Sequence, residues 1–272
     1  MTLHARHGKD PRKAVAQPAI QAPAARKVGV AFAATAAGCE GRGDNPAMLL
    51  PIEWLPPVQP APQLLILLHA AGSGGLAMHP LAQALREAFP QAAILAPDAP
   101  HQLGDGHAWV DAPDTDTDAD ASLHAVQAAL PALASWVHAT QHRLRVGPAA
   151  TALAGFSQGA TLALALASAH DGLVGRVLSF GGRFLQLPTA APEACTLHLL
   201  QGGADPVVAA AHTRQALHHL GALRGDATLD VAQGVGHELH PALIDSALFR
   251  LRNHIPHRTW RAALGGVTSL PR

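Results

Sequence analysis

An excess of either charge, cysteine, aromatic side chains and long apolar runs are all missing or scarce in this sequence of 272 residues. Lys+Arg and Asp+Glu number 19 each, so there is no basic footprint for nucleic acid or for an anionic membrane surface. Two cysteines, Cys39 and Cys195, lie far apart in unlike contexts. They argue against a disulfide framework and fit a reducing or indifferent compartment, so the expected location is cytoplasmic. Aromatics make up 4% of the chain against 49% hydrophobic residues, so its core is aliphatic. No apolar run approaches the roughly 20 residues of a membrane-spanning helix, so no stable membrane insertion is expected. One segment imitates an export or lipid-attachment signal: Arg26-Lys27, then the short apolar stretch from Val28 to Cys39. It is short, alanine-weighted and placed behind a long lead, which favours its belonging to an Ala/Pro-rich extension over residues 1–45.

What is present is a repeated alternation. The continuous apolar run Leu64–His69, and Ala92–Ala96 after it, read as strands buried on both faces, and the apolar run from Ala149 to about Ala154, Gly175–Phe180, Thr196–Gln201 and Ala227–Ala232 read as further short strands. Helical periods fall between them, at His79–Phe89, Ala119–His142, Val207–Leu220 and Pro241–Asn253. Pro131 inside the second of these predicts a kink or two abutting helices. Asp98 to Asp118 shows no regular period and reads as a long loop, and the chain after Ile255 as a tail of unclear order. The pattern predicts an α/β fold with a mostly parallel central sheet and helices on both faces. One domain over residues 46–256 suffices, flanked by the extension and by a tail over 257–272. In such sheets ligands bind beyond the carboxyl ends of the strands, where the Gly-rich loops of this chain fall.

The stretch around Ser157 organises the rest. Gly155-Phe156-Ser157-Gln158-Gly159 joins a strand to a helix through a turn with a serine at its apex. Glycines two residues either side let the strand and helix approach without side-chain collision. The turn lifts the hydroxyl above the sheet beside a helix N-terminus, where free N–H groups favour negative charge. A serine so placed reads as a nucleophile; the plainer alternative is a glycine-rich turn whose serine caps the helix.

A serine nucleophile needs a base, and the base an acid to orient it. On this strand–turn–helix arrangement they follow in the order Ser, Asp or Glu, His. The chain supplies Asp205 after one strand and His237 after the next. Taken alone, Asp205-Pro206 is also a good helix start, and His237 is one of 18 histidines. Their positions in the expected loops and order set them apart. Acyl transfer further needs donors for the developing oxyanion. The N–H of Gln158, after the nucleophile, is one; the loop His69-Ala70-Ala71-Gly72 offers the other, with Ala71 the best candidate.

Leu-Leu-His-Ala-Ala-Gly at 67–72, Ala108-Trp109-Val110-Asp111, Gly-Phe-Ser-Gln-Gly at 155–159, Gln-Gly-Gly-Ala-Asp-Pro-Val at 201–207 and Gly236-His237 together resemble the bacterial phospholipase/carboxylesterase family. This is the α/β-hydrolase group that includes acyl-protein thioesterases. The resemblance runs from about residue 48 to about 255. It implies a Ser157–His237–Asp205 triad, an oxyanion hole from Ala71 and Gln158, and Trp109 in the acyl-pocket wall. Family members usually carry glycine after the strand-end histidine; Ala70 stands there instead, and is expected to narrow the site or shift the oxyanion loop.

Other chemical-looking signals fail. Asp114, Asp116, Asp118 and Asp120 alternate as in a calcium loop, but Ala119 and Ala125 replace the turn glycine and closing glutamate. His237-Glu238-Leu239-His240 misses metalloprotease spacing, and His218-His219 side chains diverge on a helix. No dinucleotide fingerprint occurs, so no cofactor and no metal is expected. The reading is a serine hydrolase acting on esters or thioesters of small to medium acyl groups, its partners small-molecule or acylated substrates. A peptidase or amidase on the same fold, or a non-catalytic ligand binder, remains open.

Overall fold

A computed structural model of the protein describes residues 50–110 and 119–264. The N-terminal extension with Cys39, the acids between 111 and 118, and the residues from 265 onward lie outside the described residues. The strands are β1 (Ile52–Trp54), β2 (Leu64–Leu68), β3 (Ala93–Ala96), β4 (His101–Leu103), β5 (Gly106–Ala108), β6 (Thr151–Phe156), β7 (Arg176–Phe180), β8 (Thr196–Gly202) and β9 (Ala227–Ala232). The helices are α1 (His79–Ala88), α2 (Ala119–Leu144), α3 (Gln158–Ala169), α4 (Ala210–Ala222), α5 (Pro241–Asn253) and α6 (His257–Ala263).

Seven strands form one sheet in the order β1-β3-β2-β6-β7-β8-β9. β1 runs antiparallel to β3, and every other neighbouring pair is parallel. The reason is in the side chains. β2 is Leu-Leu-Ile-Leu-Leu, and all five are buried. Leu64, Ile66 and Leu68 pack with Val126, Leu133 and Val137 of α2 and Leu162 and Leu166 of α3. Leu65 and Leu67 point the other way, toward Leu81 and Leu85 of α1 and Leu243 and Ile244 of α5. Period-2 alternation therefore fills two cores, one per face, and each fully buried leucine contributes about 1.5–3 kcal/mol. The expected α/β architecture is observed.

Three local expectations change. A single helix, α2, runs through Pro131 rather than two abutting ones. Val126 and Leu130 on one side of the proline and Leu133 and Val137 on the other pack into the same core, which outweighs the hydrogen bond that proline cannot make. The loop after Asp98 is not wholly irregular: β4 and β5 pair as a hairpin across Gly104-Asp105. Three-residue strands are too short to show a period. Past Ile255 the chain forms α6, where Arg258 donates to Gly175 O and Thr196 Oγ1, both at 3.1 Å. Among the described residues no helix is long and apolar enough to cross a membrane.

Candidate active site

The parallel strands end side by side, so the loops after β2, β6, β7, β8 and β9 share one edge. Ser157 leaves β6 with φ 54 and ψ −116, a conformation that costs a non-glycine residue of order 1–3 kcal/mol. It is held there by its neighbours. Ser157 N–H donates to Phe180 O of β7 at 3.0 Å, and Ser157 O accepts from Thr161 N–H at 2.9 Å as α3 begins. A Cβ at Gly155 would strike the backbone of Gly159 and Ala160, and one at Gly159 would strike the carbonyls of Leu68 and His69. The two glycines thus let the strand, the helix and the end of β2 crowd together.

Asp205 follows β8. Its carboxylate is the hub of a small network rather than the N-cap of α4, which starts at Ala210 with Ala209 as cap. Oδ1 accepts the amides of Val207 and Val208 at 2.8 and 2.9 Å, closing a turn on itself. That turn delays the helix beyond the Val207 start expected from the Asp-Pro pair. Oδ2 accepts from Gln201 Nε2 at 3.0 Å and from His237 Nδ1 at 2.8 Å. Burial pushes the carboxyl up, but the bonds from His237, Val208 and Val207 outweigh it and hold it below its ordinary value. The side chain, 1% exposed, is therefore an ionised acceptor.

An ionised Asp205 fixes the proton of His237 on Nδ1, which leaves Nε2 as an acceptor in the neutral ring. Ser157 Oγ–H reaches that atom at 2.8 Å. The His237 loop is tied to the Asp205 loop by Gly203 N–H to Ala232 O at 2.7 Å and Ala204 N–H to Val235 O at 2.9 Å. The ring lies against Phe156, centroids 5.0 Å apart. Behind it Gly181 has φ +57, and a Cβ there would sit 3.1 Å from His237 Cε1 and 3.4 Å from Asp205 Oδ2. Only glycine serves both the backbone and the space.

Ala71 and Gln158 occupy the two loops expected of them. Gln158 opens α3, and its buried side-chain Oε1 accepts from Trp109 N–H at 2.8 Å. The Ala71 loop is paired with β5: Gly72 N–H donates to His107 O at 2.9 Å, and His107 N–H to Ser73 O at 2.7 Å. Ala70 is not among the described residues with positive φ, so alanine sits there without backbone strain. Trp109, expected in the acyl-pocket wall, packs against the His69 ring. It is 2% exposed within the core, its indole N–H donates to His69 O at 2.8 Å, and it does not line the cavity beside Ser157.

That cavity, about 210 Å³, is lined by Ser157, Thr161, Gly181, Arg183 and Pro206–Val208. Arg183 also lines a neighbouring cavity of about 200 Å³ whose walls include Leu164, Phe184, Leu185, Leu187, Leu199 and Ala216. Gln201, Gly181 and Phe156 support the site without having been assigned a part from sequence. Gln201 left a signal, an amide after the apolar pair Leu199-Leu200 at the end of a strand; the other two left none. His240, the second histidine of the false metal motif, caps α5 by accepting Ala242 N–H at 3.2 Å. Asp114, Asp116 and Asp118 lie outside the described residues.

The sheet order, the serine at the strand–helix turn and the histidine and aspartate beside it define an α/β-hydrolase. The family model for phospholipase/carboxylesterase matches residues 53–255. Esterase YpfH of Escherichia coli (strain K12) is 36% identical over 213 residues, 77% of this chain and 90% of YpfH. The solved structure of esterase PE8 matches with TM-score 0.68 at 30% identity, covering 76% of this chain and 99% of PE8. The Bacillus cereus carboxylesterase matches with TM-score 0.64 at 16% identity, over 74% of this chain and 92% of its own, a likeness of fold alone. The chain belongs to the phospholipase/carboxylesterase family and is a hydrolytic enzyme of the serine esterase type.

Proposed function

We propose that the protein cleaves carboxylic esters or thioesters of small to medium acyl groups, with Ser157 as nucleophile, His237 as general base and acid, and Asp205 as the group that orients His237. The observation that carries this reading is the unbroken line Asp205 Oδ2–His237–Ser157 Oγ, with both hydrogen bonds at 2.8 Å. As Ser157 Oγ attacks the acyl carbon, its proton passes to His237 Nε2 and the carbonyl π pair moves to oxygen. The N–H groups of Ala71 and Gln158 receive that oxyanion. Collapse expels the alcohol or thiol, which takes the proton from Nε2. Water then adds by the same route and releases the acid, restoring the serine.

The aliphatic walls of the neighbouring cavity suit the apolar part of an acyl group, and the esterase names of the relatives favour esters over a peptide or amide. A non-catalytic binder would have no use for a serine kept at φ 54 beside a histidine acceptor. A cytoplasmic setting, with small-molecule or acylated substrates, belongs to the same proposal. The test is hydrolysis of p-nitrophenyl esters and acyl thioesters graded by chain length, with Ser157→Ala alongside. Turnover should peak at short to medium chains and vanish in the variant; unchanged turnover in Ser157→Ala rejects the assignment.

A further inference from the structure

The two oxyanion donors of the proposed mechanism lie on separate pieces of chain, and misplacing a catalytic contact by 1 Å can cost about 10²-fold in rate. Something must fix the Ala71 N–H relative to α3. We infer that His69, assisted by Trp109, is a positioning residue that orients the Ala70–Ala71 peptide and locks its loop to the nucleophile turn. The inference rests on the oxyanion reading above and adds what sets its geometry.

The argument begins with a tautomer. His69 is fully buried, and Ala99 N–H donates to its Nε2 at 2.9 Å. Nε2 is therefore the acceptor, and the single proton of the neutral ring sits on Nδ1. Nδ1–H donates to Ala70 O at 2.7 Å. Burial keeps the ring from charging by pushing its pKa down, although the Ala70 carbonyl pulls the other way. Ser73 Oγ–H donates to the same carbonyl at 2.8 Å. A peptide unit is planar and trans, so a C=O held on one side directs its own N–H to the other. The N–H opposite Ala70 O is that of Ala71. Ser73 N–H adds a longer contact to Ala70 O at 3.3 Å, so three donors, the imidazole N–H the nearest of them, hold that carbonyl and aim the candidate oxyanion donor.

Trp109 ties this peptide to the nucleophile. Its indole N–H holds His69 O and its backbone N–H holds Gln158 Oε1, both at 2.8 Å, and its ring lies 5.2 Å from the His69 ring. Gln158 would then act twice, through its backbone N–H on the substrate and through its side chain on the loop. With the peptide held from outside, position 70 does not need glycine to keep its shape.

Two amides separate the halves of the histidine. Asn at position 69 places an N–H where Nδ1 was and can still hold Ala70 O; Gln places its amide where Nε2 was and cannot. With sites counted by fluorophosphonate titration, His69→Gln should lower kcat for a p-nitrophenyl ester about 10- to 100-fold with KM and the pH midpoint of kcat/KM unchanged. His69→Asn should recover most of that loss. Trp109→Phe, which keeps the ring and the bond to Gln158 but lacks the indole N–H, should fall about tenfold in the same way. A trifluoromethyl ketone, whose adduct with Ser157 leaves a negative oxygen in the same place, should lose affinity in parallel with kcat/KM. Wild-type kcat per titrated site in both His69→Gln and Trp109→Phe overturns the inference, as does His69→Asn no better than His69→Gln, or a loss confined to KM. If His69→Gln does not fold, Trp109→Phe decides alone. Failure of the wild-type enzyme to label at Ser157 would instead remove the underlying mechanism, so the two failures are distinct.

Discussion

Aspartate–histidine pairs sit at both ends of the parallel strands: Asp205–His237 at the carboxyl edge and Asp226–His254 at the amino edge, at 2.8 and 2.9 Å. Both carboxyls are pushed up by burial and brought below their ordinary value by the hydrogen bonds they accept. Even a hydroxyl is common to both sites. At the amino edge Thr196 Oγ1 donates straight to Asp226 Oδ2 at 2.6 Å while His254 Nε2 bonds Oδ1, so the hydroxyl and the imidazole sit side by side on one carboxylate instead of lining up. Asp226 also takes His257 N–H at 3.1 Å, which fastens α6 to the sheet. At the carboxyl edge the histidine stands between acid and hydroxyl, the hydroxyl rides a strained turn at a helix N-terminus, and a cavity opens beside it. An aspartate–histidine pair is a structural tie until a third group is placed on the far nitrogen.

Substitutions can break this contrast. Ser157→Ala should lower kcat by about 10⁵–10⁶-fold while leaving the urea unfolding curve nearly in place, since only a hydroxyl is lost. Asp205→Asn should cost about 10⁴-fold, through the wrong His237 tautomer. The positioning variants at His69 and Trp109 fall below these. Asp226→Asn should do the opposite: ester turnover per folded molecule stays at wild type, and stability falls by about 1–3 kcal/mol as buried donors lose their acceptor. Turnover lost in step with Asp205→Asn would erase the distinction between the two edges.

The amino edge also carries a pH slope that leaves turnover untouched. His198 lies between Arg176, whose Nη1 donates to its Nε2 at 2.9 Å, and Thr228. Burial, with Arg176 adding to it, pushes its pKa from 6.5 down to about 3. The unfolded chain takes up that proton as pH falls below 6.5, whereas the folded chain does not until about 3. The stability concerned is full above 6.5 and is lost as pH drops through that window. Asp205 and Asp226 add losses only below their ordinary 3.8. His198→Gln should flatten the decline of the urea midpoint between about pH 6 and 4. An identical slope in the variant would reject the assignment to His198.

The same contrast shows what could be read from sequence. Apolar runs such as Leu64–Leu68 announce doubly buried strands because burial on both faces leaves no room for polar residues. Ser157, Asp205 and His237 stand out because chain order and strand ends are visible in a linear text. What binds the site together was not legible. The β4–β5 hairpin that pairs with the Ala71 loop has strands of three residues, and the tie from Trp109 to Gln158 spans 49 positions. The resemblance implies Trp109 in the pocket wall; that its indole N–H holds His69 O could not be read from the linear order. The amino-edge network uses Arg176, His198, Asp226 and His254, each an ordinary polar residue until the fold assembles them. Helix α6 escaped notice because its seven residues carry none that is buried and so have no core stripe to reveal them.

The central claim is that His237 activates Ser157. A fluorophosphonate probe followed by peptide mapping tests it with least intervening argument. Wild-type enzyme should carry the adduct on Ser157, formed quickly at neutral pH, while His237→Ala, folded by circular dichroism, should label slower by orders of magnitude. An adduct on another residue, or equal labelling rates in the two proteins, would contradict the account.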